Sequence, residues 1–251
     1  MIRPKVVIKI GGNEVDNEDF LSGLVSTIKE MRDVQPIIVH GGGKEIARLQ
    51  NALGLTPQFI EGLRVTDEPS LNVAEMVLSG LVNKRLVARL IHAGVPAVGL
   101  SGVDLGLIRV DKMPHAKGDL GWVGRIVHVE SGGLSQLMSQ GLVVVLSPIS
   151  LGRDGRTYNV NADHAALAVA QALQASQLIF VSNVPGVLID DTIVPQIRPE
   201  QAEIWIESGK IHGGMVPKVR SALEGIAGGV GEVRITDLAG LHSGNGTGFV
   251  I

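Results

Sequence analysis

Two lysines far apart in the chain, Lys9 and Lys218, each stand beside paired glycines. Lys9 lies in Lys5-Val-Val-Ile-Lys-Ile-Gly-Gly, an apolar run that reads as a buried strand ended by Gly11 and Gly12. An ammonium inside such a strand is costly unless it emerges at the strand's end and meets an anion. Glycines let bare backbone N–H groups approach a ligand, so a cation beside them suits a phosphate. A snorkelling lysine on an edge strand would leave the same local pattern. Lys218 closes Gly213-Gly-Met-Val-Pro-Lys, where glycines open a helix and the lysine falls in its first turns. A solvated lysine at an ordinary helix start is the alternative there. A third glycine cluster, His40-Gly-Gly-Gly, also precedes a helix and presents amides at the positive end of the helix dipole. A tight turn that needs glycine would fit it too. No Walker loop and no dinucleotide-binding glycine fingerprint is present.

Other polar groups stand near these clusters. Arg64, after Gly62, offers a planar fork for a carboxylate, unless Glu61 simply pairs with it. Asn159-Val-Asn-Ala-Asp places two amides and Asp163 at the mouth of an apolar helix. Asp163 would serve as an N-terminal helix charge, but the three polar groups together exceed what capping requires. Such amides can donate to a substrate, and the carboxylate can hold nearby lysines protonated and aimed. There is no Ser-His-Asp or Cys-His pattern and no His-rich metal spacing. Phosphoryl transfer asks for positive charge and amides around the transferring oxygens and little covalent help. The inventory fits that demand.

The elements that must carry these groups follow an α/β rhythm. Lys5–Ile10 reads as a strand, Asp19–Arg32 as a helix, Gln35–His40 as a strand and Lys44–Leu53 as a helix. A β-α-β-α start argues for a parallel sheet. Residues 55–66 read as a hairpin excursion over one end of that sheet. One helix is expected from about Pro69 to Leu90, with Thr66 or Asp67 as its cap. Further strands are expected over 97–100, 142–147, 177–181 and 232–236, with an antiparallel pair over 107–112 and 124–129. Helices are expected over 134–141, 162–173, 199–208 and 215–227, and 246–251 is expected to form an edge strand.

With 251 residues, 45% of them hydrophobic, the chain can bury a substantial core as one large domain or two lobes. Aromatics are only 3%, so Val, Leu, Ile and Ala must fill that core. A net charge of −3 argues against a nucleic-acid partner. The absence of cysteine excludes disulfides and thiol chemistry. No signal peptide fits between Met1 and the first strand, and no apolar stretch is long enough to span a membrane. A cytoplasmic protein with no membrane partner is expected.

Six motifs in order resemble the amino acid kinase family: Lys9-Ile-Gly-Gly, His40-Gly-Gly-Gly, Gly62-Leu-Arg-Val-Thr-Asp, Gly99-Leu-Ser-Gly, Asn159-Val-Asn-Ala-Asp and Gly213-Gly-Met-Val-Pro-Lys-Val. The third and last are most similar to the branch acting on N-acetyl-L-glutamate in arginine biosynthesis. The resemblance implies a three-layer αβα sandwich with an open, mainly parallel sheet of about eight strands. It implies that 1–175 bind the acetylated amino acid and carry dimer contacts, and that 176–251 bind ATP. ATP would phosphorylate the substrate's side-chain carboxylate to give an acyl phosphate. By motif position, Lys9 and Lys218 would stabilise the transferring group with help from the Gly12 and Gly42 amides, and Asp163 would organise both lysines. Gly42, Gly43, Arg64 and Asn159 would hold the substrate. Gly11, Ser182, Asn183, Val184, Gly186, Leu188, Lys210, Gly214, Met215 and Lys218 would line the nucleotide. Mg²⁺ would travel with ATP without a protein carboxylate ligand.

Ser182-Asn-Val-Pro-Gly and Leu81-Val-Asn-Lys-Arg-Leu are also similar to the family's kinase of carrier-protein-linked aminoadipate, the alternative activity. A non-catalytic sensor of nucleotide or amino acid on the same fold is a third reading, against which the paired lysines argue. Arginine-inhibited hexameric members carry a helix before the first strand. Here Met1 lies almost on that strand, so a homodimer insensitive to arginine is expected.

Overall fold

The computed structural model describes residues 3–12 and 14–250. β1 (Lys5–Ile10), α1 (Glu18–Glu30), β2 (Gln35–His40) and α2 (Gly43–Ala52) open the chain. The hairpin β3 (Phe59–Ile60) and β4 (Leu63–Arg64) precedes α3 (Glu68–Glu75), a π-helical stretch over Met76–Val82, and α4 (Asn83–His92). Next come β5 (Ala97–Ser101), β6 (Ile108–Lys112), β7 (Gly124–Val129), α5 (Ser131–Ser139), β8 (Val143–Ser147), β9 (Ile149–Gly152), β10 (Thr157–Asn159) and α6 (Ala162–Ala172). The remainder is β11 (Gln177–Val181), the hairpin β12 (Leu188–Ile189) and β13 (Thr192–Ile193), β14 (Gln196–Ile197), α7 (Pro199–Glu207), α8 (Met215–Ala227), β15 (Glu232–Thr236), α9 (Leu238–Ser243) and β16 (Thr247–Phe249).

Eight strands form one sheet in the order β14-β16-β15-β11-β1-β2-β8-β5. All its ladders are parallel except β15 with β16. Residues 1–175 supply β5, β8, β2 and β1, and residues 176–251 supply the other four; the halves meet where Lys9 lies opposite Phe180. The C-terminal strand is not the edge expected of it. The two-residue β14 pairs outside β16, and it is too short to show an alternating pattern in the sequence. Ile251, within the expected terminal strand, lies outside the described residues. A second sheet, β10-β9-β6-β7, includes the expected antiparallel pair.

Both faces of the main sheet are covered, so its strands are apolar throughout. Val7, Ile37, Val39, Leu146 and Phe180 pack with α5, α6 and α8. Ile8, Ile10, Ile38, Val145 and Val181 pack with α1, α3 and α4. In α6 the buried residues are Ala165, Ala166, Leu167, Val169 and Ala170, and the three alanines let the helix seat closely. A larger residue there would cost about 1–3 kcal/mol in overpacking. Asn17 caps α1 by accepting from the Phe20 N–H at 3.0 Å, and Asp67 caps α3 by accepting from the Ser70 N–H at 2.9 Å. The single helix expected over 69–90 is interrupted by the π-helical stretch, whose wider turn resets the helix phase. The polar Asn83 consequently lands, fully buried, against the sheet.

Candidate active site

A cavity of about 240 Å³ opens at the carboxyl ends of β1 and β2 and the start of α6. Its lining includes Lys9, Gly12, Gly42, Gly43, Arg64, Asn159 and Asp163. Ligands of open α/β sheets occupy this kind of crevice. β1 is a central strand, which removes the snorkelling-edge explanation for Lys9. The Lys9 ammonium reaches the strand's end and lies 2.8 Å from Asp163 Oδ1, with 13% of its side chain exposed. Asp163 is held in turn by the α6 cap, since its N–H donates to Asn161 Oδ1 at 2.7 Å. The two asparagines thus divide the work. Asn161 caps the helix, and Asn159 turns its amide to Thr66 Oγ1 at 3.2 Å beside the cavity.

The glycines after β1 and β2 press against each other. A methyl on Gly12 would lie 2.4 Å from the Gly43 nitrogen and 2.8 Å from the Gly42 nitrogen. One on Gly41 would lie 3.2 Å from the Gly12 nitrogen, and one on Gly42 2.8 Å from Leu78 Cδ2. Glycine is required here so that two turns can touch, before any ligand is considered. Among the described residues, the Gly12, Gly42 and Gly43 N–H groups donate to no protein acceptor. Three bare amides and one ammonium therefore share a small space, an arrangement that favours an anion. A methyl on Gly11 would instead meet Glu14 Oε2 at 2.4 Å.

Arg64 hangs over the same cavity from the β3–β4 hairpin. Its turn, Glu61-Gly62, has positive φ at both positions, as a two-residue hairpin of this hand needs. The guanidinium donates to Gln50 Oε1 at 2.6 Å and to the Gly43 carbonyl at 3.1 Å, and it stacks 4.7 Å from the Phe59 ring centre. Burial lowers its pKa, yet an arginine stays charged at neutral pH. No carboxylate among the described residues pairs with it. Glu61, the expected partner, turns away to Lys117 at 2.6 Å and His115 at 3.1 Å, and these contacts hold its carboxyl below the usual range. The sequence reading missed Gln50, which is fully buried and also donates to Ser70 Oγ at 2.8 Å. A glutamine on the buried stripe of α2 was the available signal.

Lys218 does not line this cavity. Its helix, however, runs alongside α6 in the same direction, because α6 leads into β11, α8 leads into β15, and those strands are parallel neighbours. Gln171 Nε2 donates to the Glu224 carbonyl at 3.2 Å, and Leu167 Cδ1 lies 3.2 Å from where a methyl on Gly225 would sit. Parallel register puts the start of α8 at the same end as the start of α6, where Asp163 stands. Lys218 has no carboxylate within 4.0 Å among the described residues. Ser182 and Asn183 line a separate cavity of about 400 Å³ with Glu14, Asn17 and Asp237. Val184 is half-buried, Leu188 and Lys210 are exposed, and Gly214 and Met215 stand at the α8 start. Gly186 has a structural reason to be glycine, because a methyl there would lie 2.7 Å from Thr247 Oγ1. Among the described residues no three His, Asp or Glu side chains group to hold a cation. None of their helices is long and apolar enough to cross a membrane.

The sequence matches the amino acid kinase family over residues 4–237. The chain belongs to that family. A relative named acetylglutamate kinase, from Roseiflexus castenholzii, is 51% identical over 95% of this chain and 92% of its own length. A crystal structure of smu.665 from Streptococcus mutans superposes with a TM-score of 0.84 at 32% identity, covering 98% of each chain. N-acetylglutamate synthase from Neisseria gonorrhoeae, complexed with coenzyme A and N-acetyl-glutamate, gives 0.87 at 27% identity over all of this chain and 60% of the other. The amino acid kinase fold thus accounts for the eight-stranded sheet and for the place of the cavity at its carboxyl edge.

Proposed function

We propose that this enzyme transfers the γ-phosphoryl group of ATP to the side-chain carboxylate of N-acetyl-L-glutamate, giving N-acetyl-L-glutamyl 5-phosphate for arginine biosynthesis. One juxtaposition carries the reading. Among the described residues, a guanidinium without a carboxylate partner, an ammonium–carboxylate pair and three bare amides line one cavity. Arg64 and Asn159 would hold the substrate, with Gly42 and Gly43 beneath it. The nucleophile is a carboxylate with an ordinary pKa of about 4, so it is ionised at pH 7 and no general base is required. The obstacle is repulsion between two anions. Lys9 and the Gly12 amide would offset it from the substrate side, and Lys218 from the nucleotide side, its helix starting at the same end of the sheet as α6. Asp163 would keep both ammoniums charged and aimed.

In this reading residues 1–175 bind N-acetylglutamate. Residues 176–251 bind ATP along Ser182–Leu188 and Lys210–Lys218. Mg²⁺ would arrive on the nucleotide's phosphates rather than on a protein carboxylate cluster. Dimer contacts would use the first half, where Met76, Leu81 and Ile91 expose apolar side chains along one helical stretch. Light scattering tests that assignment. Incubating the protein with ATP, Mg²⁺, N-acetylglutamate and hydroxylamine should yield the hydroxamate of a trapped acyl phosphate. Absence of hydroxamate from the intact enzyme would overturn the reading, as would full activity in Lys9→Ala.

A further inference from the structure

His40 ends β2 fully buried, yet the phosphoryl-transfer reading gives it no task. Its ring lies between two partners. Nδ1 is 3.0 Å from the Gly41 carbonyl oxygen, and Nε2 is 3.3 Å from Asn83 Nδ2. A carbonyl only accepts, so Nδ1 must carry the proton; an amide nitrogen only donates, so Nε2 must present its lone pair. Both neighbours select the same neutral tautomer. Burial, reinforced by the Lys84 charge, pushes the ring's pKa down to about 4 against the opposing hydrogen bond to Gly41.

Asn83 cannot be turned the other way. Its Nδ2 also lies 2.9 Å from the Val145 carbonyl and 3.2 Å from the Leu100 carbonyl, while its Oδ1 accepts from Lys84 Nζ at 3.0 Å. The same side chain explains Gly99 in the Gly-Leu-Ser-Gly motif, because a methyl there would lie 2.1 Å from Asn83 Oδ1. At its other end the relay acts on a peptide plane. The Gly41 N–H is fixed by the Ile10 carbonyl at 3.0 Å, and the Gly41 oxygen by His40. In a trans peptide the next N–H points opposite to that oxygen. That N–H is Gly42's, one of the bare amides at the cavity.

We propose that Asn83 and His40 are positioning residues that lock the Gly41–Gly42 peptide so that the Gly42 N–H faces the transferring phosphoryl group. The catalytic part rests on the kinase reading; the relay itself does not. Long-range ¹H–¹⁵N spectra of histidine-labelled protein at pH 7.5 should show His40 as the Nδ1-protonated neutral ring. Asn83→Asp replaces the donor with an acceptor while the Gly41 carbonyl still accepts at Nδ1, so it should leave the ring protonated on both nitrogens. Its kcat should fall on the order of 10²-fold, as misplacement of one catalytic amide predicts. His40→Asn keeps an amide N–H near the place of Nδ1–H and should retain kcat within about tenfold, whereas His40→Leu should fall as Asn83→Asp does. An Nε2-protonated ring in the unaltered protein overturns the relay, and it requires no variant to fold. Wild-type kcat in His40→Leu overturns the positioning role. Failure to form hydroxamate beside an Nδ1-protonated His40 would overturn the kinase reading and leave the relay standing.

Discussion

Gly12 and Gly214 both belong to glycine pairs near a lysine, but their surroundings differ. A methyl on Gly12 would lie 2.4 Å from a backbone nitrogen; one on Gly214 meets nothing within 4 Å. The lysines repeat the contrast. Lys9 is held by Asp163 at 2.8 Å, whereas Lys218 has no carboxylate within 4.0 Å among the described residues. Arg64, Gln50 and Ser70 form a connected chain on the acceptor side, and the predicted nucleotide residues Leu188 and Lys210 are exposed. One side of the proposed reaction is assembled by the fold, and the other offers free helix ends that a phosphate chain would organise. Pre-ordering one anion's site and leaving the other open allows the nucleotide to arrive before water is excluded.

The sharpest way to break this contrast is Gly12→Ala. The added methyl would force the two glycine turns apart, displacing three amides and Lys9's strand end. kcat/KM should fall by roughly 10³ or more, with stability lowered by about 1–3 kcal/mol. Hydroxamate formation and thermal melting measure both, and near-normal activity would mean the turns do not need their contact. Lys218→Ala should be the mirror case. kcat should drop roughly 10²–10³-fold while KM for N-acetylglutamate stays within about threefold and melting is unchanged, because an ammonium used only in the transition state is lost.

The assembled side should also be the acid-labile one. Between pH 6.5 and about 4 the unfolded chain holds a proton on His40 that the folded chain does not. Unfolding therefore takes up a proton in that window, and stability falls as pH falls. The contribution present above pH 6.5 and lost by about pH 4 is of the order of 3 kcal/mol. Denaturant midpoints across that range should flatten in His40→Asn; an unchanged slope would show that the ring titrates normally in the folded protein. Next in size, Arg64→Ala should raise KM for N-acetylglutamate roughly 10–100-fold, the worth of a charge-assisted pair, while KM for ATP stays put.

Much of this architecture was legible in the sequence, for a physical reason. A strand buried on both faces must be continuously apolar, so β1, β2, β8 and β11 announced themselves, and Lys9 stood out as the exception. The pairing of Lys9 with Asp163 was implied by the family resemblance; charge alone offered Asp163 as a partner for some nearby lysine without saying which. What stayed hidden depended on partners far away in the chain. Asn83 owes its role to Val145 and Leu100, and Gln50 owes its role to Arg64 and Ser70. Gln50 at least falls on the buried stripe of α2, whereas nothing local distinguishes Asn83 from a solvated residue on a helix. The glycines were read as ligand-facing, but Gly41 and Gly186 are glycine because other parts of the chain touch them. The short β14 and the helix α9 escaped because two residues, or six, carry too little periodicity.

Gly214→Ala should give the smallest effect and the cleanest comparison with Gly12→Ala. Both substitutions add one methyl to a glycine pair, so chain chemistry is matched. Gly214 precedes α8 at φ −68°, a conformation alanine adopts freely, and open space lies where its Cβ would go. Melting should not move. If the amides at this helix start hold ATP phosphates, the methyl perturbs only the ligand's approach, and KM for ATP should rise by no more than about threefold to tenfold with kcat for bound nucleotide preserved. Gly213→Ala separates backbone conformation from ligand approach, because Gly213 sits at φ +59°, where alanine is strained. Its expected signature is lost stability together with weaker ATP binding. A Gly214→Ala enzyme that melts early would show that the nucleotide side, too, is held by packing, and the contrast between the two halves would fail.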